Sequence, residues 1–163
     1  MGLGDAMQAQ LLARIEASPH QLTIHYPAPR VGATGAVPFA QPASPLTGPP
    51  VATAVPTPDS VGAIPDVVLT CLWYDRDALR AQPDFKQLSV GWSENVRAVA
   101  RVAVQDAALD PALPWGGTKF DTAEYVIYNQ TGFRYRVETV KAVSASFLLP
   151  VSYLVVLTGG YAQ

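Results

Sequence analysis

The residues able to do chemistry are few and scattered along this chain. Asp75 and Asp77 sit two apart behind an apolar run, and such acid pairs can hold a metal ion. With no third ligand close in sequence, they read as turn acids facing water. His20 and His25 have no acid or cysteine at metal-ligand spacing. Cys71 lies inside the apolar stretch 66–74 and reads as a small buried hydrophobe rather than a nucleophile. As the single cysteine it also excludes an internal disulfide and any site built from paired cysteines. The motifs Gly-x-Ser-x-Gly, Gly-x4-Gly-Lys-Ser/Thr, His-Glu-x-x-His and paired CxxC do not occur. Arg97, Arg101, Arg134 and Arg136 would form a small basic patch if their strands are neighbours. Such a patch could take a phosphate, but pairing with Glu94, Glu124 or Glu138 is the expected outcome. The expectation is a non-enzymatic chain with no catalytic residue, no metal and no cofactor.

Composition points the same way. The chain has 163 residues, enough for one domain with a real core. Charged residues make up 15%, against ~25% in an average soluble domain. Its 15 prolines are about twice the usual share. Little charge and much proline suit a surface hidden against other chains. A net charge of −2 gives no basis for broad attraction to nucleic acid or an anionic membrane. The opening MGLGDAMQAQ lacks the basic and apolar regions of a signal peptide. No apolar run approaches the ~20 residues of a membrane helix, so no membrane partner is expected.

The elements are mostly strands. Met7, Leu11, Leu12 and Ile15 recur at helical spacing, with Asp5 as N-cap and Pro19 as stop, predicting a helix over 5–17. So short a helix must dock, on its own β domain or on a neighbouring subunit. Residues 21–26 alternate as a short strand, and 66–74 (DVVLTCLWY) is a strand apolar on both faces. The run 94–105 fits either strand or helix; strand is preferred for its alternating valines and alanines. Residues 77–82 and 106–117 allow one helical turn each. The clearest element is a hairpin over 121–140 around Asn129-Gln130-Thr131-Gly132. Tyr125 and Ile127 share one face and Val126 and Tyr128 the other; after the turn Phe133, Tyr135 and Val137 point one way and Arg134, Arg136 and Glu138 the other. A last strand, 153–157, is closed by Gly159 and Gly160.

The segment 27–65 differs from everything around it. It holds ten prolines and has no charged residue between Arg30 and Asp59. Proline excludes regular helix and a central strand, yet the segment is too apolar for an ordinary disordered linker. It reads as an extended arm or long loop lying on a partner chain. The expected interface residues are Phe39, Leu46, Val51 and Val55 on this arm, with Phe147 and Leu148 at a late loop. The overall reading is a single mainly β domain over 1–163. It is a small antiparallel barrel or sandwich with its core at 66–160, a short N-terminal helix and a long proline-rich arm.

The order of these features resembles a known family. Asp-Thr-Ala-Glu-Tyr-Val-Ile-Tyr, then Tyr135-Arg136-Val137-Glu138-Thr139-Val140, then Tyr153-Leu154-Val155-Val156-Leu157-Thr158-Gly159 is similar to the head–tail joining proteins of tailed bacteriophages, the head-closure or stopper group. The resemblance is best over 120–160. It implies a β barrel that assembles as a homo-oligomeric ring, six- or twelve-fold, in the neck of the virion. The partners implied are a portal or adaptor protein on the head side and a tail or tail-terminator protein on the other. DNA would pass through the channel without specific binding, and assembly would take place in the host cytoplasm. Other readings are a tail terminator, collar or capsid-decorating subunit. From a different class comes a small carbohydrate- or ligand-binding domain with Trp73, Trp92 and Trp115 lining a groove.

Overall fold

A computed structural model describes residues 3–27, 64–81, 95–144 and 149–162. Phe39, Leu46, Val51, Val55, Trp92, Phe147 and Leu148 lie outside the described residues, as does all but the ends of the proline-rich segment.

Helix α1 (Leu3–Glu16) leads into β1 (Gln21–His25). Then come β2 (Val67–Asp75), α2 (Arg76–Ala81) and β3 (Val96–Ala103). After a short α3 (Val104–Ala107) follow β4 (Tyr125–Tyr128), β5 (Phe133–Ser144) and β6 (Pro150–Tyr161). The strands form a closed barrel in the order β1-β2-β3-β6-β5-β4, every neighbouring pair antiparallel. Closure runs through β1 and β4, with Leu22 opposite Tyr128 and Ile24 opposite Val126. The barrel therefore takes in residues 21–25 as well as the later strands. The ambiguous run 94–105 is strand as far as Ala103 and turns helical only at Val104.

Alternation decides which side chains fill the barrel. Leu22, Ile24, Leu69, Cys71, Ala98, Ala100, Val102, Val126, Tyr128, Tyr135, Tyr153, Val155 and Leu157 form one buried cluster. Trp73 stacks on Tyr128 with ring centroids 3.9 Å apart and planes 7° from parallel. It meets Tyr135 edge-on at 5.4 Å. The small β3 residues Ala98 and Ala100 leave room for these rings, so the interior is packed side chain. A second cluster lies outside β3 and β6, where Leu79 of α2 packs with Val99, Leu154 and Val156. Helix α1 docks on β2 and β3 of its own barrel and buries Ile15 completely, while Met7 stays exposed.

The turns are local solutions. In the β4–β5 turn Gly132 alone takes a positive φ, 71°, and its N–H donates to the Tyr128 carbonyl at 2.8 Å. Asn129 spends its side chain on the Thr23 hydroxyl instead. Strand β6 runs past 157 because β5 continues to pair with it, Arg134 lying opposite Tyr161. Gly159 and Gly160 accommodate this extension at φ 84° and 113°. A side chain at Gly160 would sit 3.2 Å from the Tyr135 ring.

Cys71 is fully buried, and burial pushes its thiol up to about 12. At pH 8 a thiol reagent should modify it only as fast as the chain unfolds; stoichiometric labelling of native protein within minutes would contradict this placement. The thiol titrates near pH 9 in the unfolded chain and near 12 in the barrel. Its contribution to stability is thus complete below pH 9 and lost as pH rises towards 12, by about 1.4 kcal/mol per pH unit. Burial raises Tyr26, Tyr128, Tyr135 and Tyr153 as well, so they add to the alkaline loss.

Candidate interaction site

The groups singled out for chemistry are occupied structurally. Asp75 Oδ1 accepts the Ala78 N–H at 2.8 Å and so caps α2. Asp77 sits in the first turn of that helix, where negative charge is favoured. His25 pairs with Asp66 at 2.9 Å and stacks on Tyr125 at 4.5 Å. His25 and Asp66 are 41 residues apart in sequence, beyond any ligand-spacing argument. The Nδ1 of His20 lies 2.6 Å from the Tyr128 hydroxyl. Among the described residues, no three His, Cys, Asp or Glu side chains gather as a metal site.

Three of the four arginines do come together. Arg97 at the start of β3 and Arg134 and Arg136 on β5 line one open groove of about 1000 Å³. Tyr125, Phe133 and Tyr161 add aromatic surface to it, and Gly159 and Gly160 form part of its wall. The Arg134 guanidinium lies 4.8 Å over the Tyr125 ring. Glu124 also lines the groove, but no ion pair joins it to these arginines. Of the three glutamates expected as partners, Glu124 therefore does not pair with them, and Glu94 lies outside the described residues. Arg101 lies apart, donating through Nε to the buried Ser152 hydroxyl at 2.9 Å.

The second feature is the connection from α3 to β4. Its base is held by a bridge between Ala108 and Thr118. Leu109 N–H donates to Gly117 O at 3.1 Å, and Lys119 N–H to Ala107 O at 2.8 Å. Asp121 takes both the N–H and the hydroxyl of Thr118, at 2.6 and 2.9 Å. Asp110 caps the Ala112 N–H at 2.9 Å, and the Tyr153 hydroxyl donates to the Pro114 carbonyl. Phe120, Ala107 and Ala108 plug into the barrel core beneath. On this fixed base Leu109, Leu113 and Trp115 are 61, 64 and 64% exposed. Trp115 is thus not a core anchor, and Trp73 packs on the core rather than lining a groove.

Asp121→Ala should cost about 2 kcal/mol, because it strands the buried N–H and hydroxyl of Thr118. The check is chemical denaturation beside Asp121→Asn, which keeps an acceptor and should lose less. Equal stability of Asp121→Ala and wild type would show that this base is not held as described.

No protein-family model, curated protein or solved structure matches the chain. Fold and surface therefore carry the classification: a packed six-stranded barrel that holds out an apolar loop and, as a separate patch, presents an arginine-lined groove.

Proposed function

We propose that this chain is a structural subunit of the bacteriophage neck. It assembles as a ring between the portal or its adaptor and the tail, closing the DNA-filled head and docking the tail. The observation that carries the reading is the rigid loop with three large exposed apolar side chains, Leu109, Leu113 and Trp115. A monomer gains nothing by ordering a loop to expose such residues, whereas a subunit buries them on assembly. The low charge, the resemblance over 120–160 and the docked helix suit the same role. The barrel interior is filled with side chains, so any passage for DNA lies between subunits at the ring axis.

The test is reconstitution with portal and tail proteins from the same source. The expected result is a closed ring that co-purifies with the portal complex and appears at the neck by electron microscopy. A chain that stays monomeric in the presence of those proteins overturns the proposal.

A further inference from the structure

We propose that the 109–115 loop of one subunit docks into the arginine-lined groove of the next copy of this chain. This rests on the ring reading and specifies its contact. Charge is the first argument. Among the described residues, the groove presents Arg97, Arg134 and Arg136 against Glu124. The end of α3 and the loop up to Asp121 carry Asp106, Asp110 and Asp121 against Lys119, whose ammonium is already engaged by the Asp106 carbonyl. The two surfaces are opposite in sign and would steer each other together.

Chemical type is the second argument. Phe133 and Tyr161 on the groove are exposed, as are Leu109, Leu113 and Trp115 on the loop. Tryptophan is the best aromatic partner for a guanidinium, and buried Trp–Arg contacts are typical of interface centres. Arg134 is engaged by the Tyr125 ring, which leaves Arg97 and Arg136 to receive Trp115. Both surfaces are ordered in advance, so docking spends little on immobilising them.

Placement is the third argument. Arg97 opens β3, and the loop leaves from its other end, roughly 20 Å along the strand at ~3.3 Å per residue. Glu124, the loop's last residue, reaches the groove, but 109–115 do not line it. Two different patches on one subunit make a head-to-tail contact, and a head-to-tail contact is what generates rings.

The experiment uses the full chain in native mass spectrometry and sedimentation velocity. One variant pairs Leu113→Ser with Trp115→Ala; the other pairs Arg134→Glu with Arg136→Glu. Each should weaken self-association by about 30-fold or more, as removal of a central anchor does. Mixed in equal amounts, they should form 1:1 dimers and no larger species, because each keeps the one face the other lacks. All substituted side chains are exposed, so melting curves should match wild type; Arg136→Glu alone serves if the double arginine variant fails to fold. Rings unaffected by either pair overturn this contact and leave the ring reading standing. A wild-type chain monomeric at every concentration and with portal present overturns both. Duplex DNA binding that is lost in the arginine variant, with assembly unchanged, assigns the groove to a phosphodiester polymer and overturns the contact.

Discussion

Tyr135→Asp is expected to leave no folded barrel. Tyr135 is 9% exposed and packs in the central cluster, edge-on to Trp73 and opposite Val126 on the neighbouring strand. Removing a buried aromatic side chain costs about 3–5 kcal/mol through lost transfer energy and the cavity left behind. Placing a carboxylate there costs several kcal/mol more, or forces the group to stay protonated. The total reaches the whole stability of an ordinary domain, about 5–15 kcal/mol. Two neighbours sharpen the test. Tyr135→Phe should be close to neutral, since the contacts described for Tyr135 are made by its ring. Arg136→Asp, one residue on and facing solvent, should fold. The measurement is circular dichroism with thermal melting on all three. A soluble Tyr135→Asp chain with a cooperative, wild-type melt would mean that the β4–β5 hairpin is inside out.

That test depends on the part of the fold most legible in the sequence. Period-two alternation gives the inner faces of the hairpin directly, because one face is core and the other water. Val126 and Tyr128 point inward, as do Tyr135 and Val137, while Arg134 and Arg136 point out; Phe133, which alternation places with Tyr135, is instead 39% exposed at the start of β5. The same logic favours strand over helix for Val96–Ala103. Pairings distant in sequence leave no such trace. Nothing local to Leu22 says that it will lie opposite Tyr128, yet that pairing closes the barrel. Nothing near Gly159 and Gly160 says that β5 will carry the strand through them; alone they read as a stop. The site divides in the same way. The arginine cluster is expected only if its strands are neighbours; β3 and β5 are not, and Arg97 meets Arg134 and Arg136 across β6, which lies between them. Of the cluster's three expected glutamate partners, Glu124 lies beside it without pairing. A tryptophan in a proline- and glycine-rich loop, such as Trp115, serves equally well as a core anchor or a contact. Only the hydrogen-bonded base of that loop decides between them.

Excising 28–63 and joining the ends through Gly-Asn-Gly should leave the barrel folded and abolish stable ring assembly. The strands on either side of the excised segment are adjacent antiparallel neighbours, with Ile24 opposite Val67. The chain thus leaves and re-enters the barrel at one place, and a short connection can span the gap. Loop-closure entropy grows only with the logarithm of length, so shortening this connection several-fold favours folding by roughly 1–2 kcal/mol. Tyr26, whose hydroxyl donates to the Lys119 carbonyl, and Asp66, paired with His25, are both retained. The excision thus keeps every barrel contact made among the described residues. Assembly is another matter, if an uncharged segment carrying Phe39, Leu46, Val51 and Val55 lies on a neighbouring subunit as its composition suggests. The excised chain should then melt at or above the wild-type temperature and sediment as a monomer under conditions in which the proposed ring of the full chain is stable. Phe39→Ala should reproduce part of that loss, by about tenfold in the association constant if it is an interface anchor. Rings of undiminished stability from the excised chain would confine assembly to the barrel surface, with the loop and groove carrying it alone. An excised chain that cannot fold would instead make 28–63 part of the barrel's own stability, contrary to the closure argument from Ile24 and Val67.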